Sequence, residues 1–500
     1  MDRTVLKSIF PKMQEMDGAS ERNRMEWEKL LSKERFYHSG DREESGRNDY
    51  DTIIRSTLFR RLQDKAQVFP LEADDYVRTR LTHSLEVSAI GKRLGELTFR
   101  RLKERRIDAW FDENPETEFS DTLLCAGLVH DIGNPPFGHF GEYAVREWFQ
   151  RYLKDMELGG RSVTEVLERE MVTDLYCFEG NAQSLRLLSK TPHLGRQQGF
   201  NLTYRVLASI IKYPVSSFAM KNGSGSSQYG KFGYYVAERP LFLAVEEAVG
   251  TAGARHPLSY LLEAADDIAY RTSDLEDAMV KKILTFSQIA AVLEEYATGD
   301  GIRGDGRKGM TEAVLLLKQM YEEEIAHGDR KMGGAVVRNP KPELTAIQRW
   351  NRYVQEMMIW DAASSFEKNY DAIMNGTFEG DLLSGTPSGC LVEAISRLCE
   401  EVVYTSPVKI KAELFGRRVI DSLMGQFMPA AVKYDTGEAM TFIERRIMDT
   451  VSDFYKSMYH AQAAGKGEEE RLYLRILMVT DYISGMTDNY ARRLYRELFS

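Results

Sequence analysis

Five hundred residues, 43% hydrophobic and 28% charged, suffice for one large core or two to three ordinary domains. Lysine and arginine number 66 against 76 acidic residues, a formal net charge of −10, which argues against a general nucleic-acid coat because phosphate binding needs a basic surface. Four scattered cysteines (Cys125, Cys177, Cys390, Cys399) form no CxxC pair, which argues against a disulfide framework and a cysteine zinc site.

The opening residues MDRTVLKSIF lack a signal-peptide core, and no apolar run is long enough to cross a bilayer, so a cytoplasmic protein is expected. Helical periodicity dominates and predicts an all-α fold. Residues 1–54 read as an N-terminal helical segment, 55–285 as a catalytic core, and 286–500 as a helical C-terminal region that completes the pocket and oligomer contacts. In the core, helices are expected at 82–106, 121–132, 141–155, 179–190, 201–213 and 257–284. Further on they are expected at 287–297, 310–327, 342–375, 389–403, 407–427, 440–462 and 467–498. The best strand signal, GKFGYYVAE (230–238), predicts at most a short hairpin. Residues 298–309 and 328–341 read as glycine-rich loops.

On the first core helix, His83 shares an apolar face with Val87, Ile90, Leu94 and Leu97, so its imidazole points inward. A lone inward histidine is usually a satisfied core residue. The next helix shifts that balance: apolar LLCAGLV leads into His130 and Asp131, and Gly133 is expected to end the helix as a glycine C-cap. Ionisable groups carried into an interior need hydrogen-bonded mates or a metal. In YLLEAADDIAYRTSDLEDA (260–278), an apolar lead-in again delivers Asp266, Tyr270 and Asp274 to one helical face at steps of four. AADDIAY offers two aspartates; Asp266 shares the face of Tyr270, whereas Asp267 lies about 100° further round. Two histidines and two aspartates make a mixed N/O set suited to Mn²⁺, Mg²⁺, Co²⁺ or Fe²⁺.

The order H…HD…D resembles the HD-domain phosphohydrolase superfamily. Within it, RTRLTHSLEV, GLVHDIGNPPFGHFGE, FEGNAQ, EAADDIAY and DYISGMTD together are similar to the bacterial deoxyguanosine triphosphate triphosphohydrolases (dGTPases). These motifs run from about residue 55 to about 490. The resemblance implies an HD core that binds a divalent cation and hydrolyses dGTP to deoxyguanosine and inorganic triphosphate, water attacking the α-phosphorus. It implies His83, His130, Asp131 and Asp266 as metal ligands, with His139 and Glu142 as acid or base and its carboxylate partner. Arg80, Lys212 and Lys231 are implied at the phosphates, with Asn181 and Tyr213 as further pocket residues. Tyr270 is implied against the ribose, leaving no room for a 2′-hydroxyl, and Gln67 and Asp274 at the 3′-hydroxyl. In LFGRRVIDSL (414–423), Arg418 is the expected base contact, although Arg417 stands where the relatives carry an aromatic residue. TDYISGMTDNYA (480–491) matches without a chemical assignment and is expected to close the pocket by packing.

Neighbouring readings are a broad-specificity dNTP triphosphohydrolase or another HD-type nucleotide phosphohydrolase. The GYP motif of the cyclic-dinucleotide enzymes and the synthetase-like partner of the alarmone hydrolases are not seen. A single-stranded nucleic-acid-binding HD protein with a regulatory role predicts decay of the site, yet all six metal and proton-transfer candidates are present. The resemblance also implies a homo-oligomer, with a hexamer as the expected form. The basic run Arg100, Arg101, Lys103, Arg105 and Arg106 is compatible with single-stranded DNA as an additional partner, or with a solvated helix face.

Overall fold

The computed structural model describes residues 24–37, 48–72, 74–191, 199–221, 230–299, 305–326, 330–332, 335–337 and 339–499. Helix α1 (Arg80–Glu104) starts where the Thr79 hydroxyl accepts the Thr82 N–H and the Thr82 hydroxyl accepts the Thr79 N–H, a reciprocal cap. It buries His83, Val87, Ile90 and Leu94 against α2 (Glu116–Val129). The two helices approach so closely that small residues are obligatory: a Cβ on Gly127 would lie 2.6 Å from the Ser88 Cα, and one on Gly95 3.2 Å from the Ser120 Cα. After a turn come α3 (Gly138–Tyr152) and α4 (Gly180–Lys190). Helix α5 (Pro257–Val280) crosses α1 and α2, and α6 (Pro342–Lys368) packs on α1 and α5.

Helices α7 (Gly389–Leu398) and α8 (Pro407–Lys433) follow, then α9 (Glu468–Ser484) and α10 (Asp488–Phe499). The fold is all-α. One apolar core lies around α1, α2, α5 and α6, and a second around α3, α8 and α9. Each draws residues from both sides of position 285. Between the two, the buried Arg186 guanidinium pairs with Glu238 at 2.9 Å and Asp481 at 2.7 Å. No helix among the described residues is long and apolar enough to cross a membrane.

The expected hairpin at 230–238 does not form in its described residues. Tyr234 makes a single bridge to Ser216 and stacks on Phe242 with ring centroids 4.0 Å apart, and Val236–Glu238 is a 3₁₀ turn. The aromatic run is used for packing rather than for strand pairing. The strands described lie elsewhere: β1 (Glu157–Leu158) pairs with β2 (Arg161–Ser162), and β3 (Arg330–Met332) with β4 (Ala335–Val337). Gly159 and Gly160, at φ 61° and 74°, supply the first turn. A helix at Arg239–Val249 was not expected. The long helices expected at 440–462 and 467–498 are each broken. Ser452 caps the second half of the former by accepting the Phe454 N–H. In the latter, Lys65 takes the Ser484 carbonyl and Arg61 the Gly485 carbonyl, acceptors that a continuing helix would use. Of the N-terminal segment, Trp27–Leu30 and Asp49–Ile54 are helical, and residues 1–23 and 38–47 lie outside the described residues.

The tight α1–α2 contact predicts that Gly127→Ala destabilises the protein by about 1–3 kcal/mol, read as a lower urea midpoint. Gly425→Ala, on an exposed stretch of α8 with nothing within 4 Å of the new Cβ, should stabilise by about 0.5–1 kcal/mol. Equal midpoints for the two variants would contradict this account of the packing.

Candidate active site

Because α1, α2 and α5 pack side by side, their three inward ionisable groups meet. Ligand-capable atoms of His83, His130 and Asp266 all lie within 4.8 Å of one another. Asp266 Oδ1 is 3.1 Å from His83 Nε2 and 3.5 Å from His130 Nε2. Asp131 Oδ1 lies 3.6 Å from His130 Nε2, and Asp131 Oδ2 lies 4.0 Å from His83 Nε2. His130 Nδ1 is 2.8 Å from the Gly127 carbonyl, a bond that makes it the donor and leaves Nε2 facing the carboxylates. Among the described residues, neither that buried Nε2 nor His83 Nδ1 has a hydrogen-bond partner. Lone pairs converging with carboxylates fit a cation, so the donor set suits a divalent metal.

Electrostatics agree with that fit. Burial works against a charge on His130, but Asp131 and Asp266 outweigh it and hold the imidazole above its ordinary value. Burial likewise opposes ionisation of Asp131, yet Arg80, His130 and His83 hold it well below the usual range. Asp266 is held well below by His130 and Lys212, again against burial. Arg80 and Asn134 both donate to Asp131, and Lys212 Nζ stands 3.4 Å from Asp266 Oδ2. Asp267 turns away to Arg271 at 3.0 Å, and burial pushes it up to about 6.

Gly133 is not a left-handed cap. Helix α2 ends at Val129, and Gly133 is needed because a Cβ there would lie 2.2 Å from the Gly180 carbonyl oxygen and the Ser184 amide nitrogen. The Ser184 hydroxyl accepts the Gly133 N–H at 2.9 Å and donates to the His130 carbonyl at 3.0 Å. The start of α4 thus braces the HD turn. The chain then passes through Phe137 and Gly138, at φ 66° and 65°, into α3. There His139, with a 76% exposed side chain, lies 3.5 Å by its Nδ1 from Oε1 of buried Glu142. Burial favours the protonated form of Glu142, but His139, Arg146 and Lys231 hold its pKa below the ordinary value.

These groups line one cavity of about 540 Å³, within the range of small-ligand sites. Gln67, Arg80, Asn181, Lys212, Tyr213 and Lys231 line it too, as do Tyr270 and Asp274. Arg418 does not: it is exposed on α8, outside the lining, and Arg417 pairs with Glu147 at 2.9 Å. Arg418 is thus the expected site residue that the structure does not bring to this cavity. The far wall is instead built by Ser396, Cys399, Tyr404, Lys409 and Glu413, which no local pattern had marked. The Tyr404 hydroxyl donates to Asp274 at 2.6 Å, and burial pushes Asp274 up to about 7. Asn134 had stood in plain view inside HDIGNPPFGH. In the basic run, Arg100 is engaged by Glu116, and Arg101 and Arg105 by Glu367.

A family model described as HD domain matches residues 80–185, and one described as phosphohydrolase-associated domain matches residues 391–497. A deoxyguanosinetriphosphate triphosphohydrolase-like protein of Listeria innocua serovar 6a is 40% identical over 484 residues, 95% of this chain and 99% of its own length. One of Pseudomonas aeruginosa is 32% identical over 489 residues, 95% of this chain and 98% of its own. A deoxyguanosinetriphosphate triphosphohydrolase of an Enterobacter species is 32% identical over 493 residues, 91% and 93% of the two chains. With such identity over nearly its whole length, and an HD core around the His/Asp cluster, the chain belongs to the deoxyguanosinetriphosphate triphosphohydrolase family of HD-domain hydrolases.

Proposed function

We propose that the protein hydrolyses dGTP, with other dNTPs as alternatives, to the deoxynucleoside and inorganic triphosphate by water attack at the α-phosphorus. The observation that carries this reading is the His83–His130–Asp266 cluster sharing one cavity with the His139–Glu142 pair. His83, His130, Asp131 and Asp266 would hold a divalent cation, with Mn²⁺ or Mg²⁺ favoured over Co²⁺ or Fe²⁺. When bound, such an ion supplies Lewis-acid polarisation of a phosphoryl oxygen.

The chain's own residues do the rest. Arg80, Lys212 and Lys231 oppose the phosphate charges. His139 takes a proton from the attacking water or gives one to the departing 5′-oxygen, while Glu142 orients its ring through Nδ1. As the water oxygen bonds to phosphorus, the bond to the 5′-oxygen breaks, and that oxygen leaves protonated as the nucleoside hydroxyl. Tyr270 lies against the ribose. Gln67 Oε1 and Asp274 Oδ1 are buried acceptors without partners among the described residues, which suits the donor of a 3′-hydroxyl. At the far wall, Lys409 and Glu413 pair with each other, and their remaining N–H and oxygen positions offer a donor and an acceptor to a base edge. A homo-oligomer, a hexamer being the form we favour, is supported by exposed Val408, Ile410 and Leu414 at the start of α8.

Incubation of the protein with Mn²⁺ and each dNTP should yield triphosphate and deoxynucleoside on ion exchange. Pyrophosphate and monophosphate, or no turnover of any dNTP, would sink the proposal. His130→Ala should lose Mn²⁺ binding by calorimetry. His139→Ala should bind Mn²⁺ normally and lose about 10²–10⁴ in kcat; a smaller loss would remove His139 from proton transfer. Asp274, ordinarily near 3.8 but here at about 7, is mostly protonated below that pH and a charged acceptor above it. The preference for dGTP over its 2′,3′-dideoxy analogue, measured in kcat/KM, should therefore increase as pH rises through about 7. In Asp274→Asn the preference should be flat with pH, and a slope that persists would assign the effect to another group.

A further inference from the structure

The segment TDYISGMTDNYA reaches the back of the HD turn, 351 residues away in sequence. Asp488, 2% exposed, accepts the Phe137 N–H on Oδ1 at 2.9 Å and the Ala66 N–H on Oδ2 at 3.2 Å. Buried Lys65 donates to the carbonyls of Asn134 and Ser484, tying the same two pieces of chain to α9. One carboxylate thus joins the segment that carries Gln67 to the turn that leads into α3 and His139.

Phe137 needs such a hold. Its φ of 66° and ψ of 18° lie in the left-handed region, which a bulky side chain rarely adopts unless its surroundings enforce it. Its ring is seated by the LFGRR segment of α8: a Cβ on Gly416 would lie 2.5 Å from Phe137 Cγ, so glycine leaves the room the ring occupies. The left-handed residue is what swings the chain into α3, two residues before His139.

We infer that Asp488 is a positioning residue for the proton-transfer pair: together with Gly416, it locks Phe137 in its left-handed conformation and so sets where α3 presents His139 to the cavity. It acts through the backbone N–H groups of Ala66 and Phe137, which line the cavity, while its own side chain lies outside that lining and outside the His/Asp cluster. The inference rests on the triphosphohydrolase reading above.

The test uses the full chain with Asp488→Asn and Gly416→Ala, measuring dGTP turnover, Mn²⁺ affinity and amide hydrogen exchange at residues 137–142. Asparagine keeps a carbonyl for one N–H and turns its amide toward the other, while alanine pushes on the ring. Both variants should lose about 10- to 100-fold in kcat with Mn²⁺ affinity unchanged, because misplacement of a reacting group by up to about 1 Å has that scale. Gly416→Ala should leave KM unaltered, whereas Asp488→Asn should raise it, since Ala66 precedes Gln67. Exchange at residues 137–142 should be faster in both. A folded variant with wild-type kcat overturns the inference, as does loss of Mn²⁺ affinity in step with kcat, which would locate the damage at His130 and Asp131. If Asp488→Asn does not fold, Gly416→Ala decides. Absence of dGTP turnover in the wild type would fell the functional reading instead, and the exchange data alone would then decide whether Asp488 and Gly416 lock the turn.

Discussion

Two ionised carboxylates, Asp131 and Asp266, held against two buried imidazoles form the constraint on which the rest of the molecule depends. Removing charge from water is costly unless it is paired, and here the pairing is shared among distant parts of the chain. Arg80 and Asn134 answer Asp131, and Lys212 answers Asp266. His83 and His130 remain under-satisfied among the described residues, the condition in which a divalent ion is a natural complement.

Bringing those groups together sets the backbone distances around them. Helices α1 and α2 touch through Gly127 and Gly95, and the HD turn meets α4 through Gly133 and Gly180. A Cβ on Gly180 would lie 2.3 Å from the Asn134 amide oxygen and 2.6 Å from a Glu142 oxygen, so this glycine keeps both polar partners in reach. Around the site, glycine thus recurs where the chemistry demands close approach of backbones and polar partners. The C-terminal helices then seal the arrangement, with Asp481 holding α4 through Arg186 and Gln183 while Asp488 holds the turn.

Much of this was legible along the chain. His83, His130 and Asp266 each follow or share an apolar helical face, so their inward direction is a consequence of period alone. The choice of Asp266 over Asp267 likewise followed from helical phase, and the structure turns Asp267 to Arg271. Less legible were the ends of long helices, because the competition lies elsewhere: Lys65 and Arg61 take carbonyls near residue 485 from more than 400 residues away. The aromatic run at 230–238 read as a strand since Tyr and Phe favour pleated surfaces, yet stacking with Phe242 used those rings first.

By itself, the sequence determined the all-α class, the inward placement of the His and Asp side chains, and the i, i+3 spacing of His139 and Glu142. Those are local properties, governed by helical period and by glycine and proline chemistry. Only the tertiary structure decided that Gly133 serves close approach, that Arg418 lies outside the cavity, and that Tyr404, Lys409 and Glu413 form its far wall. It also decided that Asp488 holds Phe137. These depend on which helix packs against which, and no spacing along one segment encodes a contact made across hundreds of residues.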